Sequence, residues 1–227
     1  MSAERSAPAA AGVFLAWASA RSVPADDGWL SPGEAEVQAR LRVSKRAADW
    51  RLGRWVAKDA ILRALAVEGL PPSAVETLAG PGGAPRVRVL ASGAWPALSL
   101  SISHSGGMGF AAVRRGSVRL GCDVEEIAPR SEEFVSDYFT AEEAAWIRAG
   151  GDGLAFRANL LWSAKESALK ALGEGLRKDT RTVAVETEGA ESPSGEGWHP
   201  LRVTAASGDV FAGWWRVADG LVWTVVG

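Results

Sequence analysis

Leu160-Leu161-Trp162-Ser163-Ala164-Lys165-Glu166-Ser167-Ala168-Leu169-Lys170-Ala171-Leu172-Gly173-Glu174-Gly175 is the stretch on which the reading of this chain turns. At helical spacing Leu161, Ala164, Ala168 and Leu172 form one buried stripe. Trp162, Glu166 and Lys170 recur every four residues and share the neighbouring face. The pattern predicts a helix from about Asp152 to Leu172, stopped by Gly173. Taken alone, Glu166 and Lys170 have two readings. One is a surface ion pair worth about 0.3–0.5 kcal/mol. The other is a carboxylate for a cation with an ammonium for a phosphate.

Upstream lies Leu120-Gly121-Cys122-Asp123-Val124-Glu125. On a strand alternate residues face the same way, so Leu120, Cys122 and Val124 would turn to the core. Gly121, Asp123 and Glu125 would then face outward together, as a solvated edge or as two ligands of one cation. Further upstream, Ser101-Ile102-Ser103-His104-Ser105-Gly106-Gly107 runs from a strand into a glycine-bearing loop. Hydroxyls, an imidazole and exposed N–H groups at a strand end make an anion nest, although a structural histidine reads equally from His104 alone. Ser103 and His104 point to opposite faces and no G-x-S-x-G elbow is present, which argues against a serine hydrolase.

Around these segments the pattern is mixed helix and strand, an α+β chain. Val13 to Ala18 reads as a strand. Ser31 is an N-cap with Pro32 at the first helical position. A long helix follows from about Ser44 to Val67, with Trp50, Trp55, Val56, Ile61, Leu62 and Leu65 at helical spacing. Residues 80–97 are loop around a short strand, Val87 to Leu90. A three-stranded meander is expected from Leu98–Ser103, Gly109–Arg114 and Val118–Glu125, with Arg115-Gly116 as a tight turn. Phe134, Val135, Tyr138 and Phe139 fall in the otherwise polar loop after it. Thr140 opens another helix, with Glu143 three residues on. Strands near Thr182–Glu186, Leu201–Ala205, Val210–Val217 and Leu221–Val226 close the chain. Strand, long helix and strands thus occur twice, consistent with two similar halves, residues 12–117 and 118–227, after a disordered tail over 1–11.

The composition narrows the chemistry. Hydrophobic residues make up 47% and charged residues 23%, the balance of an ordinary globular protein. A net charge of −2 gives no basic excess for nucleic acid. With one cysteine, Cys122, and two histidines, His104 and His199, thiolate or histidine-rich metal centres are excluded. A bound metal would need oxygen ligands, which points to magnesium, manganese or calcium. Ala9 to Ala20 is apolar and ends in Ala18-Ser19-Ala20, yet it lacks a positive leader, so a first strand is expected rather than a secretory signal. No stretch is long enough to span a membrane.

In order and spacing these motifs resemble the 4′-phosphopantetheinyl transferases of the large single-chain surfactin-synthetase type. That family has a Gly-x-Asp-x-Glu strand followed by Trp-x-x-Lys-Glu-x-x-x-Lys on a helix, with a Ser-His element upstream. Both long motifs match at every defined position. The resemblance implies two similar α/β halves related by pseudo-twofold symmetry, with coenzyme A in the cleft between them. It implies a transfer of phosphopantetheine from coenzyme A to a serine of an acyl-, aryl- or peptidyl-carrier protein, releasing 3′,5′-ADP. Asp123, Glu125 and Glu166 would hold Mg2+ or Mn2+, with Glu166 also taking the serine proton. Lys170 would contact the pyrophosphate, and Ser103 with His104 the 3′-phosphate. Lys165 would serve the phosphates or the fold, and Glu143 the metal or only a helix cap. The lysine of the family's Gly-Lys-Pro run is missing from Gly83-Ala84-Pro85, and Arg86 is the candidate substitute. Arg46 and Arg54 match an arginine pair of the siderophore-type members, or belong to a solvated helix face. A cytoplasmic monomer is expected. The rivals are another magnesium-dependent phosphotransferase or nuclease, and a silent member that binds without turnover.

Overall fold

The computed structural model describes residues 7–173, 178–187, 190 and 197–227. Residues 1–6 of the expected tail and Glu174-Gly175 of the long motif lie outside them. Contacts divide the chain into an N-terminal unit, Gly12–Leu120, and a C-terminal unit, Gly121–Gly227, which residues 7–11 join. Ala7–Ala10 (α1) is a short helix.

The N-terminal unit begins with strand β1, Val13–Ser19. Helix α2, Pro32–Ala39, opens on a capping box in which Ser31 and Glu34 satisfy each other's backbone N–H. Helix α3 spans Ser44–Leu65 and ends where Ala66 turns left-handed at φ 54°. Strands β2 (Val75–Ala79) and β3 (Pro85–Val89) form a separate hairpin. Strands β4 (Leu98–Ser105) and β5 (Met108–Arg115) pair antiparallel, and β1 adds to the far side of β5. Leu52, Val56, Ile61 and Leu65 of α3 pack on this sheet against Ala16, Leu100, Ala111 and Val113.

The C-terminal unit holds β6 (Gly121–Glu126), α4 (Glu132–Tyr138), α5 (Ala141–Arg148) and α6 (Leu154–Leu172). Strands β7 (Val183–Thr187), β8 (His199–Ala205), β9 (Val210–Ala218) and β10 (Leu221–Val226) follow. The sheet order is β6-β10-β9-β8-β7, all antiparallel. Phe156, Leu160, Ala164, Ala168 and Leu169 of α6 pack on Val203, Phe211, Trp215, Val222 and Val226. Capping boxes are local hydrogen-bond patterns, so both Ser31 and Thr140 act as read from the sequence.

Two expectations change. The meander does not form: β5 pairs with β1 and β4, while β6 pairs with β10, so Val118 to Leu120 is a crossing between units. Strand partners far apart in sequence are chosen by tertiary packing rather than by the nearest turn. The supposed loop carrying Phe134 and Tyr138 is helix α4, capped by Ser131, whose hydroxyl accepts from Phe134 N–H.

Each unit runs from a strand through helices to four strands, with one more helix in the C-terminal unit, and their long helices share a sequence pattern. Trp55-Val56-Ala57-Lys58-Asp59-Ala60-Ile61-Leu62-Arg63-Ala64-Leu65 in α3 parallels Trp162-Ser163-Ala164-Lys165-Glu166-Ser167-Ala168-Leu169-Lys170-Ala171-Leu172 in α6. The buried lysines behave alike. Lys58 pairs with Glu34 at 2.7 Å and donates to the carbonyls of Pro72 and Val75. Lys165 pairs with Glu143 at 2.8 Å and donates to the carbonyls of Thr180 and Val183. Both glutamates are the ones that close the capping boxes, and their other oxygens accept from Thr77 and Val185 N–H. Burial lowers the affinity of both lysines for a proton, and the paired glutamates oppose that shift.

Candidate active site and N-terminal cavity

In the C-terminal unit α6 lies directly on β6. A Cβ on Gly121 would stand 1.8 Å from the Ser167 carbonyl oxygen, so only glycine allows this approach. The face carrying Gly121, Asp123 and Glu125 therefore turns under the helix, not outward, and Asp123 is 2% exposed. Register fixes the strand: Asp123 opposes Thr224 of β10, whose hydroxyl bonds Ser163 and Ser167 at 2.9 and 2.7 Å.

The helix face of Trp162, Glu166 and Lys170 meets these carboxylates. Lys170 Nζ donates to Asp123 Oδ1 at 2.7 Å and to the Cys122 carbonyl at 3.1 Å, and lies 3.7 Å from Glu166 Oε2. Glu125 is held otherwise. Its Oε1 accepts from Trp162 Nε1 at 3.2 Å and its Oε2 from Arg130 Nη2 at 3.3 Å. Burial, then the charge of Asp123, pushes the Glu166 carboxyl up to about 7, against the pull of Lys170. Glu125 is raised for the same two reasons, against Arg130 and Trp162. Burial depresses the Lys170 ammonium, but the charges of Asp123 and Glu166 outweigh it, and its affinity for the proton rises.

The three carboxylates expected to hold a metal are not gathered as a cage. Among the described residues no three Asp, Glu, His or Cys side chains group closely enough to hold an ion. Lys170 stands between Asp123 and Glu166, and Glu125 is turned to Arg130 and Trp162. The donor set nevertheless fits a hard divalent cation. It is all carboxylate oxygen, and Glu125 and Glu166 are raised by burial and by acidic neighbours, a strain that a cation relieves.

Of the two readings of Lys165, its surroundings favour the fold over the phosphates: it is completely buried on Glu143 and two carbonyls, with the Phe139 ring 5.7 Å away. Glu143 is likewise taken by its capping box, Lys165 and Val185 N–H. Arg130 and Asn159 escaped the sequence reading, since only tertiary contact brings either toward Glu125.

The N-terminal unit has its own cavity of about 490 Å3, lined by Lys45, Arg46, Trp50, Arg54, Pro85 and His104 among others. His104 and the arginine pair Arg46 and Arg54 thus meet there. The Arg54 guanidinium lies 4.9 Å over the Trp50 ring, and no hydrogen bond from the described residues engages its Nε. Burial lowers its proton affinity, against the charge of Glu34. Two expected residues are absent. Ser103 is buried on the other face of β4 from Ile102 and His104, as strand alternation requires. Arg86 is exposed on β3, its side chain against Gly80.

A family model, ACPS, the 4′-phosphopantetheinyl transferase superfamily, matches residues 119–221. Solved structures similar to the chain include the holo-ACP-synthase of Plasmodium yoelii, at 19% identity over 47% of this chain and 94% of that one, TM-score 0.38. The holo-(acyl-carrier-protein) synthase of Bacillus anthracis, in complex with CoA (3′,5′-ADP), matches at 22% over 47% and 96%, TM-score 0.40. The Helicobacter pylori holo-[acyl-carrier-protein] synthase, in complex with coenzyme A, matches at 18% over 46% and 99%, TM-score 0.37. No curated protein matches the chain.

Proposed function

We propose that the chain is a phosphopantetheinyl transferase of the single-chain surfactin-synthetase type, moving 4′-phosphopantetheine from coenzyme A to a carrier-protein serine. The match over residues 119–221 supports the activity, because it spans the strand and the helix that bring Asp123, Glu125, Glu166 and Lys170 together. That convergence is the observation that carries the reading. A magnesium or manganese ion held by Asp123, Glu125 and Glu166 would supply charge neutralisation on the pyrophosphate.

The residues of the chain divide the remaining work. The carrier serine oxygen forms a bond to the β-phosphorus of coenzyme A while the bond from that phosphorus to the bridging oxygen breaks. Phosphopantetheine goes to the serine and 3′,5′-ADP leaves. Glu166, on the helix face that meets Asp123 and Glu125, is the group that would accept the serine proton. Lys170 shifts from Asp123 and Glu166 to the pyrophosphate and offsets its growing charge. In the N-terminal unit the cavity with Arg46, Arg54 and His104 takes the 3′-phosphate.

The carrier docks on the C-terminal unit. Val135 and Phe139 are core, 2% and 3% exposed. Phe134 and Tyr138 instead frame a cavity of about 450 Å3 with Trp162 and Arg181, a receptor for a helix face. The protein acts as a monomer in the cytoplasm. Among the described residues no helix is long and apolar enough to cross a membrane.

Incubation with coenzyme A, magnesium and apo carrier domains of fatty-acid, polyketide and nonribosomal-peptide origin tests this. The carrier should gain the mass of one phosphopantetheine, and a chelator should stop the gain. Binding of coenzyme A with no mass gain on any carrier would leave a silent binder instead.

A further inference from the structure

The contacts of Glu125 are unlike those of its two acidic neighbours. Asp123 and Glu166 share Lys170, a long side chain that is 27% exposed. Glu125 instead has a fixed donor on each oxygen, the Trp162 indole and the Arg130 guanidinium. Arg130 is fixed in turn. Its Nε donates to Asn159 Oδ1 at 2.8 Å, and its guanidinium lies 4.7 Å over the Phe134 ring. Asn159 is completely buried, and its amide donates at 2.7 Å to two carbonyls, Ala128 and Ala155. Ala128 belongs to the segment that carries Arg130, and Ala155 to α6. One buried amide thus stitches that segment to the helix and aims the guanidinium at Glu125.

The corresponding place in the N-terminal unit shows what this arrangement is for. Seven residues before Lys58-Asp59 gives Arg51-Leu52, and Leu52 occupies the position of Asn159 as a core residue, 1% exposed. The helix packs on its sheet perfectly well with leucine there. A buried amide that must find three partners is therefore not required by the fold of such a unit. It accompanies the acidic site.

We propose that Arg130, aimed by Asn159, is a positioning residue that locks Glu125 as the fixed wall of the cation site, while Asp123 and Glu166 form the side that shares Lys170. The inference rests on the transferase reading given above. The planar fork of arginine can join Glu125 and Asn159 at once, whereas the single ammonium of lysine cannot reproduce that geometry. Residues that hold a metal ligand by hydrogen bonds are worth about 10–100-fold in metal affinity.

The test measures magnesium requirement and magnesium binding in the same proteins. In Arg130→Gln the magnesium concentration for half-maximal turnover should rise about ten-fold or more. The rise in melting temperature caused by magnesium chloride alone should shrink with it. Asn159→Leu should act in the same direction with a smaller effect. The double variant should be no worse than Arg130→Gln, because both residues act through one contact. Arg130→Lys should recover stability without recovering the magnesium requirement. The inference is overturned if Arg130→Gln melts lower yet keeps the wild-type magnesium requirement and magnesium shift. It is also overturned if the two single effects simply add. A wild-type protein that transfers nothing to any carrier would sink the transferase reading itself, and this inference with it.

Discussion

Helices α3 and α6 carry the same eleven-residue pattern, and their surroundings put it to opposite uses. Both bury a lysine on the glutamate of a capping box and on two carbonyls, one at the first residue of a strand and one three residues before it. On the next position they part. Asp59 in α3 pairs with Arg63 at 2.7 Å on an exposed face. Glu166 in α6 shares Lys170 with Asp123, under a strand that supplies two more carboxylates. Elsewhere the difference is reversed. Arg54, one residue before Trp55, lines a cavity, while Leu161, one before Trp162, is core. The buried lysine is thus the scaffold's property, and charge beside the motif decides what each unit can bind.

The largest expected effect separates the two acidic positions. Asp123→Ala and Glu166→Ala should each lower turnover by about a thousand-fold or more with the fold intact by circular dichroism. Asp59→Ala, a surface change, should stay within about two-fold of wild type. A thousand-fold loss at Asp59 would dissolve the comparison.

Next come the paired lysines. Lys58→Met and Lys165→Met each strand a buried glutamate, and urea titration should show a loss of about 3–5 kcal/mol in both. A neutral result in one of them would mean that the two devices are not equivalent.

Much of this is readable in advance, for a physical reason. Capping boxes and helix periodicity are local, so residue spacing alone places Ser31 and Thr140 at helix starts and Glu166 on one helix face with Trp162 and Lys170. What spacing does not carry is long-range pairing. The expected meander fails because β6 pairs with β10, a strand about a hundred residues later. Lys165 reads equally as a phosphate contact or as part of the fold until its partners, the carbonyls of Thr180 and Val183, are brought to it by the fold. Ser103 fails for a simpler reason: alternation along β4 sends it away from His104, a consequence its sequence position already contains. The repeat at Trp55 and Trp162 is also present in the residues, and aligning the second motif against the first half exposes it.

A smaller effect sharpens the reading of the N-terminal cavity. Arg54→Ala and His104→Ala should weaken coenzyme A by about ten- to a hundred-fold, the worth of a charged hydrogen bond. Dephospho-coenzyme A, without the 3′-phosphate, should be affected much less in equilibrium titration. Equal losses for both ligands would move the phosphate elsewhere. The smallest effect belongs to Arg63→Ala, which breaks an exposed pair and should cost at most about 1 kcal/mol by thermal melting.

The most direct measurement of the central claim is carrier modification by mass spectrometry with matched variants, Glu166→Gln and Asp59→Asn, beside wild type. Wild type and Asp59→Asn should add one phosphopantetheine to an apo carrier in magnesium and coenzyme A, while Glu166→Gln should leave the carrier unmodified over the same time. Full modification by Glu166→Gln, or its loss in Asp59→Asn, would contradict an active site built in the C-terminal unit.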